Sequence, residues 1–297
     1  MPVIVENKLI TLNSLYSIKQ NGTLNSSVLF NFKGILVEED DIVSSNICVM
    51  NAQIPVSFYV ITATSYITTY AGVTQTGVAV IQPGNYNFNA LKVIIDSQFA
   101  TQNIYVEFLL DKATGKVSLH QFSGTTQTLV TFVPPSIGVL LGWGGLGPYT
   151  ITGSYWLAPY PMNLLGVKKL NIQSQKLQIS SFTSTTGNLG VILCTIPVDV
   201  PAYSMINYTN QTDLNKSALQ TKVIDQIDIS ITDEANNLID FHNIDWSITL
   251  VLENIRHLPE RFTPGFRELT TPIKPPDTKI LETEPINDVK ELELLSS

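Results

Sequence analysis

Three histidines, two cysteines and twenty-five carboxylates are the groups in this 297-residue chain with chemistry to offer, and their spacing decides what kind. His120, His242 and His257 do not stand at metal-ligand spacing from one another or from a cysteine, which speaks against the His and carboxylate cluster of metal-dependent β-barrel oxygenases. His242 lies near Asp240 and Asp245 in sequence, the makings of a general base with an orienting carboxylate, or simply of a solvated turn. Asp225, Asp228 and Asp233 would supply a glycosidase pair if two of them faced each other across a groove. Carboxylates at strand ends are more often only solvated. No Gly-x-Ser-x-Gly elbow occurs, and neither Cys48 nor Cys194 is placed like an activated nucleophile. The glycine-rich GWGGLGP at 142–148 lacks the Lys-Ser/Thr that grips phosphate and Mg²⁺. The acidic run Glu38, Glu39, Asp40 and Asp41 reads as a solvated turn, not a metal site. The expectation is a protein without catalytic residues, metal or cofactor, and not an enzyme.

The elements that carry these groups read almost throughout as strands. In 243–253, Ile244, Trp246, Ile248, Leu250 and Leu252 fall on every second position, which is a half-buried strand. Val223, Ile227, Ile229 and Ile231 repeat the pattern upstream, and the Asn-rich 235–237 between the two runs suggests an antiparallel pair. Further strands are expected at 26–36, at 45–61 with Pro55 marking an edge or bulge, and at 104–110 and 117–122 around the turn DKATGK. Others follow at 129–133 and 168–181, the latter with a bulge or bend, and a central strand at 189–198. Runs 67–70 and 78–81 make a short hairpin. One helix stands out at 87–99, capped by Asn87 or Asn89, with Phe88, Leu91, Ile94, Ile95 and Phe99 on one face. Burying that stripe contributes on the order of 5–10 kcal/mol before entropy is subtracted, so its aromatics need no ligand.

Composition limits the function. Charged residues make up 14% of the chain, well below an average soluble domain, and the net charge of -8 speaks against wrapping nucleic acid. No apolar run is long enough to span a bilayer, and no secretory signal is visible at the N-terminus. Cys48 and Cys194, within strand-like runs, read as two buried thiols in a reducing compartment, a disulfide between them being the other possibility. From Thr263 onward Pro264, Pro272, Pro275, Pro276 and Pro285 break any regular element and leave an extended acidic arm. Its end spaces Ile286, Val289, Leu292 and Leu295 every three residues, which suits a short docking helix as well as a frayed terminus.

Many strands with short turns, one helix in a connection and no fixed repeat favour an all-β single jelly-roll sandwich with one short inserted helix and an extended C-terminal arm. The expected organisation is an N-terminal arm or edge segment over 1–25, the jelly roll over 26–263 and the Pro-rich arm over 264–297.

An ordered series of segments resembles the penton, or minor capsid, proteins of virophages, polinton-like viruses and related large DNA viruses. The segments are NAQIPVSFYVI at 51–61, PGNYNFNALKVII at 83–95, DKATGKVSL at 111–119 and LLGW at 140–143. YPMNLLGVKKLNIQS at 160–174, CTIPVDVPAYSMINY at 194–208 and DEANNLIDFHNIDWSITLVLE at 233–253 complete it. The family commonly carries a glycine in the penultimate turn, where this chain has Ala235, Asn236 and Asn237; Asn also takes the left-handed conformation. The resemblance implies a homo-pentamer at the five-fold vertices of a virion whose faces are built by a separate double jelly-roll major capsid protein. The net charge leads to the expectation of no direct nucleic-acid binding, and the free thiols fit assembly inside the host cell. Low charge and abundant sheet agree with such a role.

Two other readings are open to the sequence. A carbohydrate- or receptor-binding spike would use Tyr149, Tyr155 and Trp156 as stacking platforms, and a glycosidase would use the aspartates above.

Overall fold

Among the described residues most regular structure is β-strand, and the burial of those strands largely follows the alternation of apolar and polar residues. A computed structural model describes residues 3–36, 42–122, 127–144, 147–151, 155–177, 181–182, 189–211, 216–219 and 223–257. In chain order the elements are β1 (Val3–Asn13), β2 (Ile18–Asn21), β3 (Leu24–Leu36), β4 (Ile42–Pro55), β5 (Ser65–Ala71), β6 (Thr74–Ile81) and α1 (Phe88–Thr101). There follow β7 (Val106–Asp111), β8 (Lys116–Gln121), β9 (Leu129–Val133), α2 (Pro135–Leu140), β10 (Tyr149–Thr150), β11 (Tyr155–Pro161) and β12 (Lys169–Gln173). The last are β13 (Ser181–Phe182), β14 (Leu189–Gly190), β15 (Ile192–Pro197), β16 (Met205–Thr209), β17 (Ser217–Ala218), β18 (Val223–Thr232) and β19 (Ser247–His257).

Two sheets form the body. One runs β1-β19-β4-β16 with every neighbour antiparallel and the short β17 beside β4; the other runs β15-β12-β18-β3-β2. The first and last strands are neighbours, and, the short β2 and β17 aside, successive strands of the sandwich alternate between the sheets except at β12 and β15, which pair directly. Four strands of each sheet therefore make the eight-stranded jelly roll expected from the sequence. Between them Leu12, Ile54, Ile172, Ile229, Trp246 and Leu250 are all buried. Trp246 is fixed by its Nε1–H donating to the Asn25 carbonyl at 2.7 Å and by an edge-on contact with Phe30. Residues before 26 contribute β1, which pairs with β19 along its whole length, and β2.

The expected closing hairpin is not formed. β18 pairs with β3 and β12, whereas β19 pairs with β1 and β4 in the opposite sheet. Both strands present an apolar face to the same core, so alternation alone does not distinguish a shared sheet from two facing ones. The chain crosses over through left-handed Asn236, His242 and Asn243. The phase of β18 also slips at a register shift between Ile224 and Gln226, so Ile224 is buried and Val223 exposed.

Two further expectations are corrected, for the strand at 45–61 and for the run 189–198. The strand read to residue 61 ends at Pro55, and Val56 and Phe58 enter the core from an irregular segment. A register shift between Thr249 and Leu250 skips Met50, which turns outward while Ile47 and Val49 turn in. The apolar run 189–198 is not central. Its main strand, β15, is at a sheet edge, where packing against β4 buries Leu193, Cys194 and Ile196.

Between β4 and β12 lies an insertion with its own core, which the sequence reading did not separate. Ile67, Ile81, Leu91, Phe99, Phe108, Phe132 and Trp143 fill it. Its sheets run β10-β9-β5-β6 and β11-β8-β7. Helix α1 has Asn87 as its cap, accepting from the Ala90 N–H at 2.9 Å, and buries Phe88, Leu91, Ile95 and Phe99.

Candidate functional site

Asp228, Asp233 and Asp240, among the carboxylates singled out in the sequence, are tied to the backbone. Asp228 is buried and accepts from Ser174 Oγ at 2.7 Å, the Gln175 N–H at 3.0 Å and the Lys176 N–H at 2.8 Å. It holds the turn that follows β12. Asp233 clamps the next turn, accepting from the N–H groups of Ala235 and Asn237 at 2.9 and 2.7 Å, and Asp225 is exposed on β18. Asp228 faces its clamped turn, not an open groove, so these three do not make a glycosidase pair.

His242 and Asp245 also have structural partners. The Asp240 carboxylate accepts from the His242 N–H at 2.8 Å, His242 Nε2 is 3.9 Å from Asp240 Oδ2, and the imidazole lies over the ring of Tyr59, centroids 4.1 Å apart. Asp245 accepts from Ser14 Oγ at 2.7 Å, and that hydroxyl accepts in turn from the Trp246 N–H. His120 meets Phe122 edge-on, and His257 ends β19 opposite Val3. Among the described residues no group of three or more His, Cys, Asp or Glu is gathered to hold a metal. No disulfide links Cys48 on β4 to Cys194 on β15; both are buried, and burial pushes the Cys194 thiol above its usual range. The acidic run 38–41 and the four arm residues Ile286, Val289, Leu292 and Leu295 lie outside the described residues.

Glycines of the 142–148 motif serve packing. A Cβ on Gly142, whose φ is +90°, would stand 2.2 Å from the Tyr160 carbonyl oxygen, and one on Gly144 would meet the Tyr160 ring. Tyr149 and Trp156 are half-buried against the insertion core, Tyr149 donating to the Trp143 carbonyl at 2.5 Å. Tyr155 alone of the proposed stacking trio is exposed, so the trio does not form a platform.

What remains open is surface for contact. A cleft of about 690 Å³ lies between the sandwich and the insertion, lined by residues including Tyr59, Tyr86, Leu165, Val198 and Pro201. The β1 edge exposes Val3, Ile4, Val5 and Leu9, and Leu15, Tyr16 and Ile18 continue that exposure into β2. At the far edge of the same sheet, Met205 and the neighbouring Tyr203 are exposed. In β1 the burial alternates over 6–12 although the residue types do not, with three apolar residues at 3–5 and three polar ones at 6–8, so the run VIVENKLITLN does not announce a strand.

No family model matches the sequence, and no curated protein matches it. Several solved structures are similar to it. The mavirus penton protein is 13% identical, with 83% of this chain and 99% of that one covered and a TM-score of 0.46. A chain from the Sputnik virophage structure is 12% identical over 84% of this chain and 97% of its own, with a TM-score of 0.42. VP17, a capsid protein of bacteriophage P23-77, is 7% identical over 86% of this chain and all of its own, with a TM-score of 0.20.

Proposed function

We propose that this chain is a structural capsid protein that forms pentamers at the five-fold vertices of an icosahedral virus particle, among faces built by a separate double jelly-roll protein. What supports the reading is where the penton-like segments fall. The 51–61 segment ends β4 and leads to the insertion, 83–95 enters α1, and 111–119 turns from β7 into β8. The 160–174 segment returns to β12, 194–208 joins β15 to β16, and 233–253 crosses from β18 into β19. The series thus follows one jelly roll and its insertion in order.

The role is one of shape and contact. Asp228 and Asp233, two of the aspartates that would have served hydrolysis, hold turns, and the exposed apolar residues include Val3, Val5, Leu9 and Met205 at sheet edges. The protein belongs in this reading to the virion, assembled from a reducing compartment, and the Pro-rich arm over 264–297 holds adjacent capsomers or an internal component. Electron microscopy of the purified protein tests the reading. Rings of five are expected, whereas stable trimers would point to a spike. A chain truncated near Thr263 that enters particles as well as the full chain would dismiss the arm's role.

A further inference from the structure

The insertion and the sandwich treat their sheet edges differently. β6 is the last strand of its sheet, and α1 covers it: Gln98 bonds both the N–H and the carbonyl of Val80, and Gln102 does the same for Val78. Gly77 lets the helix side come close, since a Cβ there would lie 3.2 Å from Gln102 Oε1 and 2.0 Å from Ile104 Cδ1. β7, an edge of the other insertion sheet, has its Phe108 N–H taken by Asp96 Oδ1.

Edge β1 has none of this protection. Its eleven residues pair with β19 in unbroken register, and among the described residues no strand pairs with its other side. Natural monomers blunt such edges with proline, bulges, free charges or a covering helix. Here there is no proline or register shift, the two charges Glu6 and Lys8 lie 3.9 Å apart with Glu6 also engaged by Arg256, and Val3, Val5 and Leu9 are half or more exposed.

We infer that β1 is covered by a second copy of this chain, and that the covering strand is β16 from the opposite edge of the same sheet. Strand direction supports this choice. In the path β1-β19-β4-β16 every step is antiparallel, so the fourth strand runs opposite to the first. Copies related by rotation about an axis along the strands keep their strand directions, and β16 of one then meets β1 of the next antiparallel. The facing sheet, with five strands in its path, would bring β15 and β2 together parallel. The contact uses two different surfaces of each copy, as a closed ring requires.

β16 has five residues against the eleven of β1, so at about 3.4 Å each some 17 Å of the β1 edge would be paired through backbone. The inference rests on the pentamer reading and names its interface.

Full-length protein carrying Leu9→Cys, mixed with full-length protein carrying Met205→Cys and treated with a short bismaleimide, tests it. Both side chains are exposed on the outer face of this sheet. The mixed pair should cross-link well above either variant alone. Val5→Lys with Leu9→Lys should weaken self-association more than about 10-fold while leaving the melting temperature unchanged, because a charge would be buried at the contact. Cross-linking of Leu9→Cys to itself in preference to Met205→Cys would overturn the inference in favour of a two-fold contact. Five-membered rings that tolerate both lysines would overturn it and leave the pentamer reading standing. Wild-type protein that stays monomeric at its highest soluble concentration would overturn both.

Discussion

The side-chain amide of Gln98 stands in for a strand beside Val80, donating to its carbonyl and accepting from its N–H, each at 2.8 Å. The backbone groups that β6 would otherwise leave open are satisfied by a helix packed on the insertion core. Replacing Gln98 and Gln102 by Ala should destabilise the protein by about 2–3 kcal/mol in urea titrations, since four edge groups lose partners. Light scattering should rise in the same variant as β6 becomes an open edge.

Asp228 offers a test of structural against catalytic use. Its replacement by Ala leaves one hydroxyl and two backbone N–H groups without their acceptor and should cost about 2–4 kcal/mol, with Asn costing less. Thermal melts of the two variants decide. Unchanged stability in Asp228→Ala would contradict the turn-holding role.

Glu253 gives the protein a pH dependence. Lys216 Nζ, 2.6 Å away, holds the Glu253 carboxyl below the usual carboxylate range. A carboxylate depressed in the folded state stabilises it above the unfolded value, near 4.3, and that contribution is lost as the pH falls through the folded one. Wild type should exceed Glu253→Gln by about 0.5–1 kcal/mol at neutral pH, and the difference should shrink as the pH drops below about 4. Urea titrations across that range would show it.

Trp246 is the largest side chain of the sandwich core, and its indole N–H reaches Asn25. Trp246→Phe keeps most of the packing and loses the hydrogen bond, which should cost about 1–2 kcal/mol. Trp246→Ala should cost about 3–5 kcal/mol. Circular dichroism during chemical unfolding measures both.

Much of this fold was legible because period-two alternation is a local property. It marked most strands and the face of α1, and Asp111 with Gly115 marked the turn between β7 and β8. Which sheet a strand joins is not local. The alternation of β18 and β19 is the same whether they pair or face each other, so the expected hairpin resolved into two sheets. Register shifts at Met50 and after Ile224 move a residue to the other face without a change of residue type that announces it. The aspartates drew attention by type, but their role depends on which backbone N–H groups come near, and Ser174 lies 54 residues from Asp228. The insertion core was hidden for a related reason: its apolar residues follow the same strand period as those of the sandwich.

In the proposed function this jelly roll occupies the vertices of a capsid. The most direct test of that role is a cryo-EM reconstruction of particles formed when the full chain is co-expressed with the double jelly-roll major capsid protein of the same genome. Five copies of this sandwich around each five-fold axis are predicted. Particles whose five-fold positions are filled by another protein, or closed without this chain, would contradict it.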